Sequence, residues 1–120
     1  FSVLTLFAAF ALSTSSFAHD CRVIFDPGFS SEAQALIGGK YLLVDEEKVE
    51  DVRTVPFRIV VKEDLDIDPE TLTFQVIFNG VTVIEEKHDS IGFYENVAKT
   101  EEWLKNLPSC NTLYRAKTRR

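Results

Sequence analysis

The stretch Leu72-Thr73-Phe74-Gln75-Val76-Ile77-Phe78-Asn79-Gly80-Val81-Thr82-Val83-Ile84-Glu85 constrains the fold more than any other part of this chain. Two runs rich in β-branched and aromatic residues flank Asn-Gly, the dipeptide that best accepts the two positive φ angles of a tight hairpin. An antiparallel pair therefore stands at the centre of the expected fold. The simplest register sets Phe78 against Val81 and Val76 against Val83. It gathers Leu72, Phe74, Val76, Phe78, Val81 and Val83 on one face. The other face carries Thr73, Gln75, Thr82 and Glu86, together with Ile77 and Ile84. Branched apolar side chains on a polar face need a cover, so Ile77 and Ile84 are candidate partner-binding residues, with a second layer of the protein itself as the alternative cover.

Shorter elements surround the hairpin. Arg22, Val23, Ile24 and Phe25 read as a strand ended by Asp26-Pro27-Gly28, a turn signal. Ser31-Glu32-Ala33-Gln34 has the form of a capping box, and Gly38-Gly39 ends a short helix over about 31–37. Residues 41–44 form a compact apolar strand, followed by a charged excursion over 45–51. Phe57, Ile59 and Val61 alternate with Arg58, Val60 and Lys62, the pattern of a half-buried strand. From Gly92 the period changes to helical, with Phe93, Val97, Leu104 and Leu107 on one line, and Pro108 closes that helix. Tyr94 and Trp103 sit off this line; they are candidate anchors for a partner, with packing on a neighbouring strand as the other reading.

The first eighteen residues carry no charge, run apolar over 3–12 and end in the small-x-small pair Ser16 and Ala18. That is the profile of a secretory signal peptide cleaved before His19; the apolar run is too short to span roughly 30 Å of hydrocarbon. The expected divisions are 1–18 signal peptide, 19–113 one globular domain and 114–120 a basic tail. Cys21 and Cys110 then lie near the two ends of a chain bound for an oxidising compartment, which predicts one disulfide between them. The formal net charge of −6 conceals the basic Arg115, Lys117, Arg119 and Arg120, so the body before them is more acidic still. Such a body repels phosphate backbones and anionic lipid, which argues against nucleic acid or a membrane as its partner.

Catalytic and metal-ligating patterns are sparse. His88-Asp89-Ser90 holds the residue types of a hydrolase triad, but adjacent side chains diverge and a triad is assembled from distant segments. Asp64, Asp66 and Asp68 alternate like the start of a calcium loop, yet Pro69 stands where the loop needs Gly and Gln75 where it needs a bidentate Glu. No cofactor is expected, nor any metal beyond that calcium candidate.

A signal segment, about a hundred mature residues, one disulfide and short strands without a catalytic set resemble the small secreted effectors of plant-pathogenic fungi. Cys21 and the hairpin at Asn79-Gly80 are similar to the MAX-type effectors, β-sandwiches of short strands stapled by a disulfide. The placing of Cys21 and Cys110 is similar to the ribonuclease-like effectors of mildews, which also have an early helix. The helix near 93–107 departs from the first layout and His19 from the second, where an aromatic residue is usual. The resemblance is one of layout and assigns no site residue.

The sequence thus predicts an α+β, mainly β, domain: a small antiparallel sheet or β-sandwich of four to six short strands, a C-terminal helix and one disulfide. The functional expectation is a secreted, non-enzymatic, monomeric effector that binds a host or other extracellular protein, outside the host cell or after entering it. A secreted inhibitor of a protease or hydrolase is the first alternative, a small hydrolase or nuclease the second.

Overall fold

The computed structural model describes residues 17–26 and 31–118. Its elements, in chain order, are β1 (Arg22–Phe25), α1 (Ser31–Gly38), β2 (Leu42–Leu43), β3 (Phe57–Asp64), β4 (Thr71–Phe78), β5 (Val81–Asp89), α2 (Phe93–Lys105) and α3 (Cys110–Thr118). Two single 3-10 turns, Glu46–Lys48 and Val52–Thr54, lie between β2 and β3. The signal segment falls outside the described residues except for Phe17 and Ala18, as do Pro27 and Gly28 of the expected turn and Arg119 and Arg120.

All five strands form one sheet in the order β2-β1-β3-β4-β5. It is mixed, where an antiparallel sheet was expected: β1 runs parallel to both β2 and β3, while β3, β4 and β5 are antiparallel. The cause lies in the connections. Parallel neighbours need a crossover, which α1 supplies between β1 and β2 and the 45–56 segment supplies before β3. Helices, rather than the second sheet of a sandwich, cover the inner face. Val23, Phe57, Ile59, Leu72, Phe74, Val76 and Phe78 point inward and pack with Ala33 and Ile37 of α1 and with Trp103, Leu104 and Leu107 at and beyond α2.

The hairpin turns at Asn79 (φ 51°) and Gly80 (φ 82°), as its sequence requires. Its register departs from the simple one. Ile77 pairs with Thr82, but Val76 pairs with Ile84, so Val83 is an extra residue in a β-bulge. Beyond the bulge the faces of β5 are exchanged. Ile84 turns inward and packs against the core, with Glu86 opposite Phe74 and His88 opposite Leu72 on the same inner face, whereas Val81 and Val83 are exposed. Ile84 therefore does not share the outer face with Ile77, which lies half-buried on the far side beside Val52 and Val55.

Helix α2 keeps Leu104 of the expected line in its buried stripe, and Leu107 beyond it is buried as well, but the rest of the stripe differs. Asn96, Thr100, Trp103 and Leu104 face the protein, while Phe93 is 58% exposed. Buried Asn96 is satisfied: its amide donates to Glu63 Oε2 at 3.0 Å and Ser90 Oγ at 2.8 Å, and its oxygen accepts from Ile91 N–H at 3.3 Å. The other end of α2 is closed by Lys40, whose ammonium donates to the carbonyls of Leu104, Lys105 and Leu107 at 3.2, 2.8 and 2.7 Å. A cation there satisfies orphan carbonyls and opposes the negative end of the helix dipole.

The two cysteines meet as expected. Cys21 and Cys110 form a disulfide with Cα atoms 5.6 Å apart. Tyr114 adds to this junction by donating its hydroxyl to Asp20 O at 2.9 Å and setting its ring edge-on to Phe57 and Phe78. The expected domain border at 113 thus falls inside α3, which continues to Thr118.

Candidate functional site

Strand β5 is one of the two outermost strands of the sheet, nine residues long against the two of β2, and all of it is exposed except half-buried Ile84. Antiparallel pairing alternates backbone groups that face the neighbour with groups that face away. Ser90 N–H donates to Glu70 O at 2.9 Å, continuing the ladder, so Ile84, Glu86 and His88 face β4 through their backbones. The backbone groups of Glu85, Lys87 and Asp89 point away from the sheet. Lys99 Nζ caps one of them, donating to Asp89 O at 3.3 Å. Among the described residues no strand pairs with this edge.

A cleft of about 260 Å³ opens on the inner face between β5 and α2. Its floor is the stacked pair Phe74 and Trp103, with centroids 4.9 Å apart and planes 12° from parallel. Glu86 and His88 rise from the β5 side, Lys99 and Glu102 from α2. His88 Nε2 lies 3.2 Å from Glu86 Oε2, and the imidazole leans on Phe74 at 5.5 Å. Glu102 accepts a 3.3 Å hydrogen bond from Asn106. Two carboxylates thus flank an aromatic floor at the mouth of an open strand edge.

The four candidate partner residues do not come together. Trp103 and Ile84 lie on the inner face, Trp103 as part of the core at 8% exposure. Ile77 lies on the opposite face, in the groove it forms with Val52 and Val55. Tyr94 stands 82% exposed at the start of α2, ring edge to Phe93 at 5.5 Å. The cleft residues Glu86 and His88 escaped sequence reasoning because the bulge turns them inward along with Ile84.

His88, Asp89 and Ser90 do not converge: His88 faces Glu86, and Ser90 Oγ accepts from Asn96. Asp64, Asp66 and Asp68 do not converge either. Asp64 Oδ1 accepts from the backbone N–H of Asp66, and among the described residues no three His, Cys, Asp or Glu side chains are grouped to hold a metal ion. Hydrogen bonding from Arg22 holds the Asp20 carboxyl below its usual range, and burial pushes the Tyr41 phenol well above its own.

No family model, curated protein or solved structure matches this chain. Among the described residues, no helix is long and apolar enough to cross a membrane.

Proposed function

We propose that this chain is a secreted protein that acts by binding another protein, in the manner of the small pathogen effectors its layout resembles, and that β5 is the element it offers. The observation that carries this reading is the open edge of β5, with the backbone groups of Glu85, Lys87 and Asp89 directed outward. An exposed edge is a template on which a partner adds a strand, its main chain supplying affinity and alternate side chains supplying specificity. Secretion is supported by the uncharged apolar leader and by the disulfide, which persists in oxidising compartments.

An inhibitor would present a rigid protruding loop, for which 45–56 is the candidate. That segment is instead coiled into two 3-10 turns, each opened by an aspartate that accepts from the backbone two residues on, and Arg58 links Glu46 to Asp26. The strand edge is therefore preferred to the loop. Affinity capture with the wild type, Lys87→Pro and a chain lacking 46–51 tests the choice. Proline at 87 removes an outward N–H without touching the β4 ladder, a position that tolerates it. The expected result is a partner, confirmed by titration of the purified pair, that is lost with Lys87→Pro and kept by the deletion; the reverse pattern would assign binding to the loop.

A further inference from the structure

We infer that the strand received by β5 carries an arginine that enters the cleft between Glu86 and Glu102. The inference rests on the edge-binding reading above and names the chemistry of the partner. A strand added to β5 pairs through Glu85, Lys87 and Asp89, so its residue opposite Glu86 projects on the inner face, over the cleft. That position meets two carboxylates, Glu86 with its side chain 50% exposed and Glu102 across the opening, above the Phe74–Trp103 floor. Lys99, the cation of the cleft wall, is drawn toward the Asp89 carbonyl. A guanidinium fits this setting because it is planar, bonds carboxylates in a fork and is attracted to an indole. The net charge of −6 adds long-range attraction for a basic partner and opposes a second copy of this chain.

Trp103 is the sole tryptophan, so its emission reports occupancy of the cleft. The probes are the extended peptide acetyl-Thr-Val-Arg-Val-Thr-amide and the same peptide with citrulline, which keeps the shape and loses the charge. The arginine peptide is expected to shift Trp103 emission saturably and to bind about tenfold tighter than the citrulline peptide. Glu86→Gln with Glu102→Gln should erase that ratio while leaving the thermal midpoint of the exposed-site double variant unchanged, and Lys87→Pro should weaken both peptides. Equal affinities, no binding of the arginine peptide, or a ratio that survives the double substitution would overturn the inference. So would a homodimer abolished by Lys87→Pro, which gives the edge to a second copy. A partner captured through β5 in the absence of arginine selectivity would leave edge binding standing and remove only the arginine.

Discussion

Asn96 shows how much one buried polar side chain can hold together. Its amide joins the end of β3, through Glu63, to the segment that turns β5 into α2, through Ser90 and Ile91. Asn96→Ala leaves these partners unmatched and is expected to lower stability by about 2 to 3 kcal/mol, measured by urea denaturation. Tyr41 is a second case: it is 1% exposed and its hydroxyl donates to Pro108 O at 2.7 Å. Burial raises its folded-state pKa, so the neutral phenol is favoured in the native state and the ionised one in the unfolded chain. The associated stability is complete below about pH 10, the ordinary tyrosine value, and is lost as pH rises from there toward the raised native value. Tyr41→Phe should cost about 1 kcal/mol at neutral pH and flatten the fall in stability above pH 10, read from denaturation curves across that range.

At the scale of elements, the bulge in β5 decides which side chains reach the core. With it, Ile84 lies against Val76 and the core, and Gln75 meets Glu85 on the outer face in a 2.6 Å hydrogen bond. Without it, Ile84 would share the solvent face and Glu85 would turn inward. Ile84→Lys is therefore expected to cost about 2 to 3 kcal/mol and Ile77→Lys about 1 kcal/mol or less, a difference that thermal melts resolve. Strand existence was legible in the sequence because alternation and Asn-Gly are local signals. The bulge was not, since inserting one residue changes every later face without changing the local composition. The same limit applies to α2, where Asn96 and Thr100 occupy the buried stripe through hydrogen bonds that apolar periodicity does not register. Parallel pairing of β1 was also hidden, because it depends on where α1 and the 45–56 segment return the chain. At the start of α2, Gly92 has φ 121°, and an added Cβ would come within 2.9 Å of Glu95 Oε2. Gly92→Ala should destabilise through backbone strain, by about 1 to 3 kcal/mol.

For the whole molecule, the disulfide closes nearly the full length of the described chain, joining residues 89 apart in sequence, Cys21 and Cys110. In the chain-entropy picture a loop of that size stabilises by about 4 to 5 kcal/mol, a large fraction of what a domain this small possesses. Reduction should consequently lower the thermal midpoint by tens of degrees, at about 4 to 8 °C per kcal/mol, and the effect should be absent in a Cys21→Ser, Cys110→Ser chain. The junction it makes lies at the β1 side of the sheet and leaves β5 at the opposite margin. The covalent and aromatic contacts of the junction thus lie away from β5, whose edge is open. Backbone amide exchange, followed residue by residue with and without the captured partner, tests that division most directly. In the free protein, Ile84, Glu86 and His88 should be protected while Glu85, Lys87 and Asp89 exchange quickly; with the partner bound, those outward amides should become protected as well. Protection that appears only in 45–56, with the β5 edge still exchanging freely, would contradict the account.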